Sequence, residues 1–130
     1  MFMKKNIVYM QNEQKHEVYD LACYKKGIEC IRQFDLSTKK LPRHAKCEFA
    51  PLVRRYMLSN LMALKDFCDS KDPEENLRKV VEDIQKIFLV IRVMKDLNYF
   101  SPKKWGIVTL PLTELDTQVR GICKSRNIVV

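Results

Sequence analysis

A chain of 130 residues holds one domain's worth of core, and two independent cores would not fit. Apolar residues make up 46%, which excludes a disordered tail, and three glycines with five prolines supply too few turns for a fold of many short strands. The net charge of +8, from 24 Lys and Arg against 16 Asp and Glu, favours a polyanionic partner.

Met1 to Asn12 reads as an extended N-terminal segment. Lys4 and Lys5 precede only Ile7, Val8 and Tyr9 before polar residues return, which is not the form of a signal peptide. The longest apolar run, Ile87 to Ile91, falls far short of the roughly 20 residues that a membrane span needs, so no membrane association is expected. Cys23, Cys30, Cys47, Cys68 and Cys123 are odd in number, widely spaced and free of any CxxC pair. Neither a disulfide framework nor a zinc ribbon is expected from them. Free, mostly buried thiols in a reducing, cytoplasmic setting are.

The first helical pattern runs from about Glu13 to Thr38, with a stripe of Val18, Leu21, Tyr24, Ile28 and Ile31 and with Cys23, Cys30 and Phe34 beside it. Lys39-Lys40-Leu41-Pro42 ends it. A second helix carries Phe49, Val53, Tyr56, Met57, Leu61, Leu64 and Phe67, with a bend expected at Pro51, and stops at Asp69-Ser70-Lys71. In the third, Asp72 is placed to cap the free amides, Pro73 takes the first helical position, and Glu74 and Glu75 oppose the dipole. Its seam is Leu77, Val80, Ile84, Ile87, Ile91 and Met94, widened by Val81 and Phe88, and it reaches about Leu97 or Asn98. Ser101 and Pro102 start the fourth, whose seam is Trp105, Val108, Leu112, Leu115, Val119 and Ile122, interrupted by a kinking Pro111. Short loops make consecutive helices antiparallel, so residues 13–126 predict an all-α, up-down-up-down four-helix bundle. Residues 127–130 form a C-terminal tail, and Ile128 to Val130 has a weak pattern for pairing with Asn6 to Met10.

The charge is unevenly spread. Lys39, Lys40, Arg43, Lys46, Arg54 and Arg55 stand against Glu48 alone, and Arg120, Lys124 and Arg126 follow the last acid, Asp116. These are candidate nucleic-acid contacts, since Lys and Arg neutralise phosphates and release counterions; the plainer reading is a solvated lysine-rich face. Arg54 and Arg55 diverge by about 100 degrees on a helix, so both cannot serve one contact, and one is free to pair with Glu48 or with an acid on a neighbouring helix. From Asp66 to Asp83 the balance reverses, which suits a basic protein partner.

Tyr56, Tyr99, Phe100 and Trp105 are able to stack on bases, although aromatics at helical spacing more often pack a core or an interface. Tyr99-Phe100, in a loop beside Lys103-Lys104, is the best placed for stacking. Glu13 and His16 have the spacing of one half of a di-iron motif, with Glu17 and Asp20 near, but no second motif accompanies them. His44 and Cys47 are likewise a lone pair. No metal or cofactor is expected. Without a glycine-rich phosphate loop, and with only His16 and His44 as imidazole bases, no enzyme is expected either.

The run Tyr24-Lys25-Lys26 through Thr38-Lys39-Lys40-Leu41-Pro42, then Phe49 through Leu52-Val53-Arg54-Arg55, and the segment Val90 through Asp96-Leu97-Asn98-Tyr99-Phe100-Ser101-Pro102-Lys103-Lys104-Trp105, resemble the four-helix-bundle proteins of the ribosomal-RNA intervening-sequence and Avd group. The resemblance covers roughly Tyr19 to Lys124 and is nearer to Avd, the accessory variability proteins of bacterial diversity-generating retroelements. It implies a ring-shaped homopentamer of four-helix bundles. It also implies a reverse transcriptase partner, and RNA or DNA held on a basic surface while template RNA is copied with errors. The basic positions matching the family are Lys39, Lys40, Arg54, Arg55, Arg92 and Lys124, so Arg92 joins the candidates on this ground alone. The chain departs from many relatives after Gly121, where Ile122 and Cys123 replace a Gly-Gly-Trp-like ending. Two other readings remain open: a bundle of ribosomal-RNA insertions without a polymerase partner, and a structural or protein-docking bundle whose charge only confers solubility.

Overall fold

The computed structural model describes residues 17–130. The extended segment Met1 to Asn12, the helix start at Glu13, the Glu13–His16 pair and the Asn6 to Met10 half of the strand pairing lie outside the described residues. A single 3-10 turn, Val18–Asp20, precedes α1 (Ala22–Thr38), α2 (Arg43–Cys68), α3 (Pro73–Asp96) and α4 (Pro102–Ser125). Each helix packs on the next and α4 closes against α1, while neither diagonal pair touches. With antiparallel neighbours this is an up-down-up-down four-helix bundle. No described residue is in a strand, and no described helix is long and apolar enough to cross a membrane.

The α3 seam is the firmest part of the core. Leu77, Val80, Ile84, Ile87, Ile91 and Met94 are all fully buried, and each such side chain contributes about 1.5–3 kcal/mol by leaving water. Facing it lie Val53, Met57 and Leu64 of α2 and Val108, Leu112, Leu115 and Val119 of α4. Helices α2 and α4 run unbroken across Pro51 and Pro111.

Helix α1 differs from its expected form twice. It starts at Ala22 rather than near Glu13, because Leu21 is extended (ψ 140) and no side chain caps the first turn. Val18 is buried, as its spacing suggests, but from the separate turn. The fully buried line is Cys23, Gly27, Cys30 and Phe34, whereas Tyr24, Ile28 and Ile31 flank it half-buried. Gly27 belongs to that line for a steric reason: a Cβ there would meet Leu61 Cδ2 at 2.8 Å, so any larger residue would require the Leu61 side chain to shift.

The helix ends repeat one device. At Ser70, Asn98 and Asn127 the backbone turns left-handed (φ 61, 66 and 59). The next amide then bonds back to Asp66, Met94 and Cys123 respectively, which satisfies carbonyls that the helix leaves unpaired. At the last of these the device tucks Ile128 into the core, so the C-terminal tail is anchored rather than free. Asp72, expected to cap α3, makes no side-chain cap. It too is left-handed (φ 40), unlike the extended backbone from which a capping side chain ordinarily reaches the amides. Ser101 caps α4 as expected, accepting from the Lys104 amide at 3.1 Å.

Candidate nucleic-acid interface

Antiparallel connection places the α1–α2 turn and the α3–α4 turn at the same end of the bundle. The first turn closes with the Leu41 amide donating to Thr38 at 3.2 Å. Pro42, extended at ψ 148, then feeds α2, whose opening turn carries Arg43 and Lys46. From the second turn α4 opens with Lys103 and Lys104. Neither helix has an acid in its first turn, where the dipole favours one, whereas α3 places Glu74 and Glu75 there. Two helix N-termini and two C-termini meet at this end, so their dipoles oppose one another and the side chains set the sign.

Those side chains are cationic. Lys39, Lys40, Arg43, Lys46, Lys103 and Lys104 are exposed and make no ion pair among the described residues. Lys95 lies with its Nζ 4.9 Å from the Trp105 ring centre. Of the acids nearby, Asp96 is paired with Arg92 at 3.2 Å and Asp35 with Arg54, whose Nε donates at 2.8 Å. Arg54 therefore pairs with an acid of the neighbouring helix. Its guanidinium, Asp35, Lys39 and Lys46 line a cleft of about 280 Å³ between α1 and α2.

The two turns are joined directly. His44 Nε2 lies 3.0 Å from the Tyr99 hydroxyl, and the Tyr99 ring also packs against Phe49 at 5.8 Å between centres. Tyr99 and Phe100 are thereby separated in role. Phe100 is 3% exposed and sits edge-on to Phe34, while Tyr99 stays half-exposed.

The remaining candidates lie elsewhere. Arg55 is exposed on the flank of α2, where it borders a groove of about 650 Å³ with Lys79, Lys86, Glu75 and Glu82, a lining of mixed sign. Tyr56 in that groove is covered by Lys86. Arg120 pairs with Asp116 at 3.0 Å. Arg126 lies over the Phe67 ring at 4.9 Å, and Lys124 is exposed about 33 Å along α4 from its start. These C-terminal cations occupy the end opposite the basic turns. They share it with the acidic stretch, whose charge is partly consumed: Asp69 pairs with Lys65, Glu74 with Arg78, and Asp83 is buried. Lys103, Lys104 and Lys95, absent from the sequence-based set, complete the basic end. Their signal was topological, since in an up-down bundle the first and third turns share one end.

His44 and Cys47 are both exposed on α2, and the imidazole is engaged by Tyr99. All five cysteines are free, with Cys23, Cys30 and Cys123 buried. Burial pushes those thiols up, Cys30 to about 12. On Lys26, bonds to Glu114 and Glu29 at 3.0 and 3.1 Å raise the ammonium's affinity for its proton and link α1 to α4. No protein-family model, curated protein or solved structure matches this chain.

Proposed function

We propose that this bundle acts without catalysis, as a nucleic-acid-binding accessory protein that grips phosphodiester chains at the end formed by its first and third turns. One observation carries the reading: Lys39, Lys40, Arg43 and Lys46 from one turn and Lys103 and Lys104 from the other share one end of the bundle with no carboxylate partner among the described residues. Unpaired cations side by side repel one another, a local cost that a polyanion relieves. Contact of this kind positions a strand without reading its bases. The resemblance to the Avd group supplies the setting: a cytoplasmic partner of a retroelement reverse transcriptase, engaged in mutagenic copying of template RNA. In that setting a homo-oligomeric ring multiplies modest basic faces into one surface of higher avidity.

The test is a salt titration of RNA and DNA binding. Affinity should fall steeply with salt, and changing Lys39, Lys40, Arg43 and Lys46 to Gln should flatten the slope of log K against log salt by about 0.7 per lost contact on a single strand. Lys124→Gln with Arg126→Gln, at the other end, should leave it unchanged. Affinity that is flat from low to physiological salt rules the phosphate grip out.

A protein-docking role draws on one separate observation. Leu58 and Met62 on α2, Leu89 and Val93 on α3 and Leu97 just after it are large, apolar and exposed. Retention of nucleic-acid binding after the four substitutions, with loss of a protein partner when Leu89 and Val93 become Ser, favours that role instead.

A further inference from the structure

We infer that the basic end takes single-stranded rather than duplex nucleic acid, with an unpaired base stacked on the Tyr99–His44 pair. The inference rests on the reading of that end as the nucleic-acid surface and names its substrate class. Width comes first. The bundle's end is two helix diameters across, about 20 Å, whereas the major groove that admits protein elements is about 12 Å wide. Four helix termini and two turns lying side by side cannot enter it, so a duplex meets this end only through its outer phosphates.

A single strand meets it differently, because its bases are free to turn towards the protein. At this end they find Tyr99, half-exposed, with an exposed His44 beside it, ring centres 5.8 Å apart at 66°. Packing accounts for the inner side of the Tyr99 ring, which follows the left-handed Asn98 and rests on Phe49. Packing does not account for the hydroxyl's bond to an exposed imidazole from the other turn, at 3.0 Å. That bond spans the two cationic turns and fixes both rings at the surface between them, so a base arriving there pays little side-chain entropy. Flat rings held amid phosphate-binding cations are the arrangement by which proteins hold unpaired strands irrespective of sequence.

The experiment compares the whole protein with Tyr99→Leu, which fills space against Phe49 but offers no flat ring, and with Tyr99→Phe, which keeps the ring and loses the hydroxyl. Each is titrated with a short single strand, with a duplex of the same sequence, and with a single strand carrying 2-aminopurine. Intact protein should prefer the single strand and quench 2-aminopurine. Tyr99→Leu should bind the single strand about tenfold more weakly, with duplex affinity and the salt slope unchanged, and Tyr99→Phe, which keeps a ring but loses the bond that fixes it, should fall between Tyr99→Leu and the intact protein. Equal affinity for strand and duplex, with no quenching and no effect of Tyr99→Leu, overturns the stacking and leaves the phosphate grip standing. Binding of neither form by intact protein overturns both. Should Tyr99→Leu fail to fold, the quenching by intact protein decides alone.

Discussion

The Ser59 hydroxyl donates to the Asp83 carboxylate at 2.8 Å, across the most extensive helix contact in the bundle, that of α2 with α3. Asp83 is only 4% exposed, and Ser59 is its one side-chain donor among the described residues. Ser59→Ala should therefore cost about 1–3 kcal/mol, the desolvation of an acceptor left without its partner. Adding Asp83→Leu should recover most of that loss, since a pair replaced by apolar groups leaves nothing unpaired. Urea denaturation of the single and double variants measures both. A double variant weaker than Ser59→Ala alone would show that the carboxylate has another use.

Asp35 restrains Arg54 at the mouth of the α1–α2 cleft. The two side chains are 38% and 53% exposed, so their ion pair is a surface pair and adds little stability, at most about 1 kcal/mol. Its larger effect is on potential, since it cancels a cation beside Lys39 and Lys46. Asp35→Asn should leave the melting temperature nearly unchanged and tighten nucleic-acid binding about fivefold at low salt, with the gain shrinking as salt is raised. The matched control is Asp116→Asn, which frees Arg120 at the opposite end and should change nothing. Equal gains from both variants would mean that overall charge, not the basic end, governs binding.

Asp72 and Ser101 occupy the same position before two helices that both begin with proline, yet only Ser101 caps. Ser101→Ala should cost about 1 kcal/mol in thermal or urea melts. Asp72→Gly should instead hold or raise stability by up to about 1 kcal/mol, because glycine tolerates φ 40 without strain. Destabilisation by Asp72→Gly comparable to that by Ser101→Ala would mean that the carboxylate supports the helix start.

That contrast marks what was legible in the sequence. The α3 and α4 boundaries and the α3 seam could be read because proline, glutamate and aliphatic spacing all point one way. A cap depends on one residue's φ, which composition does not carry, so Asp72 and Ser101 looked alike. The α1 seam was misread by one face because Gly27 and the cysteines carry little weight in an apolar pattern, although Leu61 packs directly over Gly27. At the basic end Lys39 to Lys46 were legible as a cluster, and Lys103-Lys104 as neighbours of Tyr99. Their convergence, and the pairing of Arg54, Arg92 and Arg120 with carboxylates, required side chains in space.

The buried thiols give the fold a limit on its alkaline side. Cys30 is 2% exposed, and burial, reinforced by Glu29, pushes its thiol up to about 12, against about 8.5 for a cysteine in the unfolded chain. Because the folded state holds the proton more tightly, this contribution is fully present below the unfolded value and is lost as pH rises towards the folded one. Over the two pH units above about 8.5, Cys30 alone should remove about 2–3 kcal/mol of stability. Cys23 and Cys123, raised by the same cause, act in the same direction. Lysines and tyrosines also titrate in this range, so the decisive comparison is with Cys30→Ala. That variant should be weaker at neutral pH, because it leaves a cavity, but its urea midpoint should decline less steeply above pH of about 8.5. Parallel declines in the two proteins would place the Cys30 thiol in contact with water and contradict its packing in the α1 seam.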